Sequence, residues 1–192
     1  DLQAQAAESD PFIELDDELG AMINLQWSWK NKIEFTFGGY DNRADTRIVE
    51  NGQYAWATDF YHASLKWSLG KGYQLQGQFM NGSTQMNAPT GQVVVFADLQ
   101  SSFLSLIKRW RSHNIAIRAE EFYLRDGDEI VGDNNDEYGK ALTASYRYRW
   151  AKGVFTHLEY NWINSRRPSR YYLHHPVNLI ERQWQVALKY YF

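Results

Sequence analysis

Charged side chains recur in this chain at alternate positions, and apolar or aromatic residues fill the positions between. Lys66, Arg109, Arg118, Arg147, Arg149 and Lys189 share one parity with Glu34, Glu120 and Glu159. Neutral polar residues on the same parity include Asn24, Gln26, Thr36, Ser64, Gln74, Gln76, Gln78, Ser145 and Gln185. Six bases against three acids on one wet wall would draw anions, as rings of Arg or Lys do in pores. In a narrow barrel the same charges would pair across the interior and fill it. One constellation has the residue types for acyl transfer. Pairing across a turn at 151–153 sets Ser145 opposite Glu159 and Arg147 opposite His157, so a hydroxyl, an imidazole and a carboxylate come together. The chain carries no nucleophile-elbow sequence and no paired-His motif, so this cluster reads as a satisfied wall rather than an active site, and no enzymatic activity is expected.

Metal, cofactor and nucleic-acid chemistry find little support. There is no cysteine, which removes disulfides and thiol chemistry. The run from Asp126 to Asp136, with Glu129 and Asp133 inside it, is rich in oxygen ligands. It lacks the glycine and terminal-Glu spacing of a calcium-binding EF-hand, so neither metal nor cofactor is expected. A net charge of -3 is too small to suggest a nucleic-acid partner. The most basic stretch, 165–176, holds Arg166, Arg167 and Arg170 and is an anion-contact candidate beside the reading of a solvated loop.

These residues need elements that put alternate positions on opposite faces. Nine segments alternate with period two, roughly 20–30, 32–40, 54–69, 73–81, 93–110, 115–125, 138–150, 154–164 and 179–192. The connections at 30–32, 70–72, 111–114 and 151–153 are short. Those at 41–53, 82–92, 126–137 and 165–178 are long and polar. Pairing across the short turns matches Trp29 with Ile33, Leu69 with Tyr73, Trp110 with Ile115 and Trp150 with Val154. The apolar face then gathers aromatics at both strand ends. Trp29, Trp67, Tyr73, Trp110 and Trp150 lie by the short turns, while Tyr61, Phe79, Tyr123, Trp162 and Trp184 lie toward the long connections. Phe103 and Ile107 fall on the polar parity of the fifth segment, where a bulge is expected. Aromatics make up 16% of the chain, yet mean hydropathy is -0.59 and no apolar run approaches the ~18 residues of a membrane helix. A transmembrane β-barrel has this profile because only every second residue of a strand meets lipid. A soluble sandwich would have to bury all of these outward rings.

The last strand carries the strongest resemblance. Trp184, Val186, Leu188, Tyr190 and Phe192 alternate with Gln183, Gln185, Ala187, Lys189 and Tyr191. This resembles the C-terminal assembly signal of Gram-negative outer-membrane β-barrels. Gln185, Tyr190 and Phe192 fit the signal, and Ala187 stands where the family has glycine. The hairpins around 141–149 and 164–168 also resemble the C-terminal part of larger porins, including phosphate-selective ones. The resemblance implies an all-β, transmembrane, antiparallel up-and-down β-barrel over 20–192. The acidic segment 1–19 would be an extracellular loop or a further strand. Nine strands leave the first and last running the same way, so the barrel is expected to have ten strands or to be part of one of about 16. It further implies an integral protein of the bacterial outer membrane, inserted by the barrel-assembly machinery and surrounded by lipid and lipopolysaccharide. Lipopolysaccharide phosphates would be contacts for Arg166, Arg167 and Arg170. The implied function is a porin-like channel for small hydrophilic solutes with a mild anion preference, and a homotrimer would suit it. Its competitors are a closed small barrel with a structural or adhesive surface role and, less favoured, an outer-membrane hydrolase.

Overall fold

A computed structural model of the chain describes Glu8, residues 13–128, Ile130 and residues 134–191. The chain is all-β. In order come β1 (Ala21–Trp29), β2 (Ile33–Asp41), the two-residue strands β3 (Val49–Glu50) and β4 (Gln53–Tyr54), β5 (Ala57–Gly70) and β6 (Tyr73–Asn87). They are followed by β7 (Val93–Trp110), β8 (His113–Asp126), β9 (Glu137–Ala151), β10 (Val154–Arg166) and β11 (Asn178–Tyr190). The nine long strands form one antiparallel sheet in the order β1-β2-β5-β6-β7-β8-β9-β10-β11, an up-and-down meander. β3 and β4 make a separate small hairpin, and a 3-10 helix spans Pro168–Leu173. β1 and β11 are the sheet's edges; no ladder joins them among the described residues.

Register explains why this sequence makes this sheet. One continuous row of cross-strand partners reads Trp29, Ile33, Trp67, Leu75, Leu106, Ile117, Ala144, Tyr160 and Trp184. All nine are apolar or aromatic. The adjacent row reads Ser28, Glu34, Lys66, Gln76, Ser105, Arg118, Thr143, Asn161 and Gln183, and all nine are polar. A slip of one residue at any ladder would carry polar side chains onto the apolar face and apolar ones into the polar wall, so the pattern fixes the pairing. The apolar face is open: Trp27, Trp184, Val186 and Leu188 are 57%, 67%, 75% and 76% exposed. So large an uncovered apolar face has no place in water and suits lipid.

The same row measures strand tilt. It begins at the last residue of β1 and ends six residues before the end of β11, eight strand steps away. At ~3.3 Å per residue and ~4.8 Å per strand, the strands lean by about 30°. An apolar belt ~25 Å tall then takes about nine residues per strand. Counted up from the short turns, that distance ends near Ser102 on β7 and Leu142 on β9. Outward charges begin there, in the pairs Lys140–Glu121 (3.8 Å) and Arg125–Asp98 (2.6 Å).

The turns differ in detail from expectation. The connection after β7 has two residues, because His113 already pairs with Trp110; Ile115 pairs with Lys108 instead of Trp110. The shift is an even number, so every side chain keeps its face. Gly70, not Leu69, pairs with Tyr73, and Ala151, not Trp150, pairs with Val154, each at a register irregularity beside the turn. Lys71 and Arg111 take positive φ there, the twist that tight hairpins demand. The bulge expected near Phe103 is absent: β7 pairs without a register shift from Val95 to Trp110, and the shift lies instead at Met86/Asn87. β6 continues to Asn87, well past the expected end at 81, which shortens that connection to five residues, 88–92.

The buried core lies beyond the belt, among the long connections. Tyr54, Met86, Ala88 and Val94 form it, with Val49, Val95 and Ile130 packed alongside. It joins the connections after β2, β6 and β8. Residues 13–20 form no strand, and the Asp45 amide donates to Asp16 Oδ2 at 2.8 Å, which ties this segment to the connection after β2. Residues 1–7 and 9–12 lie outside the described set, as do Glu129 and Asp133 of the acidic run.

Candidate functional site: the polar wall

All nine expected wall residues share one face of the sheet. Glu34, Lys66 and Arg118 stand in the polar row described above. Glu120 is two residues from Arg118 on β8, and Arg109 pairs with Asn114 on the same parity. Arg147 pairs with His157, Ser145 with Glu159, and Arg149 and Lys189 both with Phe155. The pairings across the turn at 151–153 thus stand as the alternation predicts.

Along its height the wall has three tiers. In the middle tier the charges are matched. The Arg118 guanidinium bonds Glu120 while lying 4.0 Å over the Phe103 ring; nearer the short turns, where Glu34 is the second residue of β2, Lys66 Nζ is 3.9 Å from Glu34. Phe103 therefore belongs on the polar face: its ring is the platform for a paired guanidinium. Asn161 Nδ2 donates to Glu159 Oε1 at 3.1 Å and Oδ1 of the same amide accepts from Thr143 at 2.9 Å. Arg149 stands apart from the Arg118–Glu120 pair, with five residues of β9 between it and Thr143, the register partner of Arg118.

At the short-turn end of β7, β9 and β11 the wall is basic and unmatched. Arg109, Arg147, Arg149 and Lys189 have no carboxylate partner among the described residues. His157 Nε2 is 3.9 Å from Glu159, the nearest acid to this group. A cavity of about 160 Å³ lies among Asn114, Ser145, Arg147, Phe155, His157 and Lys189. Ser145 makes no hydrogen bond to His157, so the hydroxyl, imidazole and carboxylate lie near one another without the nucleophile–base bond of a triad.

The tier at the long-connection end is apolar, which alternation alone did not reveal. Tyr40 and Phe60 stack with centroids 5.1 Å apart, and Leu99, Leu124, Met80 and Phe122 share their face. Here Phe122 lies over Gly139, where a Cβ would meet the ring at 2.1 Å. Met86 and Val95 extend this tier, and the β3–β4 hairpin closes over them with Val49 and Tyr54. The signal was present as a run of inward apolar residues, Tyr40, Phe60, Met80 and Met86, that breaks the polar parity.

The basic loop is committed to itself at its centre. The Arg170 guanidinium donates to Ser165 Oγ at 2.8 Å and to the Ser165 and Val177 carbonyls, and lies 3.5 Å from Glu137. Arg167 is 3.9 Å from Glu137, and Arg166 is exposed at the end of β10. Within the last strand Gln185 and Ala187 face the wall and Tyr190 faces out, while Phe192 lies outside the described residues.

An up-and-down antiparallel sheet with an apolar outer belt, two aromatic zones and a charged inner wall defines the class of outer-membrane β-barrel folds. Among solved structures the chain is similar to OmpTdeltaL8, a loop L8 deletion mutant of OmpT, an outer membrane protein of Vibrio cholerae. The TM-score is 0.62 at 9% identity, over 90% of this chain and 53% of that one. The chain thus spans about half the length of that barrel, and the likeness is one of fold. No protein-family model and no curated protein sequence matches.

Proposed function

We propose that the chain forms wall of a porin-like channel in the bacterial outer membrane, passing small hydrophilic solutes with a preference for anions. The observation that carries this reading is the pair of adjacent rows, nine polar residues backed by nine apolar ones. Such a wall has water on one side and lipid on the other. Glu34 and Glu120 are paired with Lys66 and Arg118, while Glu159 accepts from the neutral Asn161 amide, so Arg109, Arg147, Arg149 and Lys189 outnumber one uncompensated carboxylate and the wall keeps a net positive charge. Transport is passive: these charges raise the local concentration of anions and repel cations. Nothing in the arrangement of Ser145, His157 and Glu159 favours hydrolysis. Lipopolysaccharide contact falls to Arg166, because Arg170 is spent within its loop and Arg167 is shared with Glu137. Insertion by the barrel-assembly machinery through the segment Gln185–Phe192 belongs to the same reading.

The apolar upper tier with its hairpin favours a second reading, a barrel capped at the surface that serves a structural or adhesive role. Planar-bilayer conductance of the native protein across a KCl gradient separates the two. Stable steps with an anion-selective reversal potential are expected of the channel. A folded, inserted protein that conducts nothing is expected of the capped barrel.

A further inference from the structure

The turns that join the strands at the lower end of the belt share a composition. Residues 30–32, 70–72, 111–112 and 151–153 carry Lys30, Lys32, Lys71, Arg111 and Lys152 and no acid. Lys108 adds a sixth base on the outward parity of β7, since it pairs with Ile115. No ion pair engages any of the six among the described residues. The opposite end of the outer face is different: Asp41, Asp59, Ser83 and Asp98 stand in one cross-strand row there, and its next member, Arg125, is ion-paired with Asp98 at 2.6 Å. The bases also sit against rings. Lys30 lies 4.7 Å over Trp29 and Lys108 lies 3.7 Å over Tyr73. Lys108 Nζ donates to the Lys71 carbonyl at 2.7 Å, and His113 stacks on Trp110 at 5.0 Å.

We propose that this rim is a docking surface for anionic glycerophospholipid headgroups in the leaflet that faces the short turns. Trp and Tyr sit at headgroup depth in a bilayer and hold the wall at a fixed height. At that height the uncompensated ammonium and guanidinium groups meet lipid phosphates. Each Lys or Arg at an anionic surface strengthens attraction by roughly fivefold at low salt. Charge complementarity selects the occupant: a zwitterionic headgroup offers no net charge to four turns that carry only positive charge. The proposal rests on the membrane-spanning reading, not on conduction.

The test uses the native protein reconstituted in phosphatidylcholine vesicles with increasing phosphatidylglycerol, with brominated acyl chains on one lipid at a time to quench the Trp residues of the lower belt. The expected result is a relative association constant at least threefold in favour of phosphatidylglycerol. It should fall to parity in 0.5 M NaCl and in the variant K30Q/K71Q/R111Q/K152Q. Equal constants for the native protein, or a preference that neither salt nor the variant reduces, would overturn the proposal. A preference lost only on replacing Arg166 and Arg167 would also overturn it and move the site to the loop side. Failure of the protein to integrate would instead sink the membrane reading, and heat-modifiable migration scores that separately.

Discussion

Gly38 illustrates how one residue holds the wall together. It lies between Asn24 and His62 in register, and those two side chains meet above it at 3.0 Å. A Cβ on Gly38 would come within 2.0 Å of Asn24 Oδ1 and 2.6 Å of His62 Nε2. Gly38→Ala should therefore break that contact and destabilise the fold by roughly 1–3 kcal/mol, read as a lower midpoint in urea unfolding from detergent. The basic tier gives the second residue-scale prediction. Arg147→Glu together with Lys189→Glu replaces two unmatched positive charges by negative ones, and the reversal potential in a KCl gradient should move toward cation selectivity. Lys66→Glu alone should move it less, because it reverses one charge where the double variant reverses two. Placement of these residues on one face was legible from alternation, since period two admits no other arrangement. Their partnerships were not. Whether Arg118 bonds Glu120 or another acid depends on inter-strand register and on the ring of Phe103, which spacing along one strand does not encode.

At the scale of elements, the connection after β2 stands out. It crosses inside β5 to bring Val49 and Tyr54 onto Met86 and Val94 of the next hairpin. Two carbonyls fix its path, Ile48 accepting from the Ala55 amide at 3.0 Å and Thr46 from the Asn87 amide at 3.3 Å. Tyr54→Ala should remove the central ring of this core, at a local cost of roughly 2–4 kcal/mol. Trypsin added to the folded protein should then cut at Arg43 or Arg47 many times faster than in the native chain. Acid offers an independent handle on the same element. The Arg47 guanidinium and backbone amide both donate to Asp45 and hold its carboxyl below the usual aspartate range. A depressed carboxylate contributes order above its unfolded value and loses it as pH falls through the folded one. The Arg47 amide resonance should thus be steady from pH 7 to 5 and move only below the ordinary aspartate range. Most strand ends and short turns were legible in the sequence, but β6 runs to Asn87 where its alternation was read only to 81. The slip of two at 111–112 escaped because any even shift leaves alternation unchanged. The cap escaped because its core is assembled from three connections, each too short to show a period of its own.

At the scale of the molecule, the proposed membrane wall has two open edges, β1 and β11, and a segment, Gln185–Phe192, proposed to direct its insertion. Every unpaired backbone amide or carbonyl on β1 or β11 would cost several kcal/mol in hydrocarbon, so these edges must find partners before the wall can reside there. Deleting Phe192, the aromatic that ends the resemblance to an assembly signal, should slow insertion severalfold, measured as the fraction of chains that become heat-modifiable with time; unchanged kinetics would count against that role. The direction of the edge strands carries a further consequence. Colour each strand by the way it points, one colour up and one down. A closed ring in which neighbours always differ needs an even number of members, and the nine described strands begin and end on the same colour. Joining copies edge to edge does not help, because all copies in one membrane share an orientation and each new junction again sets like beside like. Only an odd number of other strands, beginning and ending on the opposite colour, restores alternation around the ring. Edge pairing between copies therefore cannot close an alternating ring from the nine described strands, which leaves the outward rings as a face on which copies can meet.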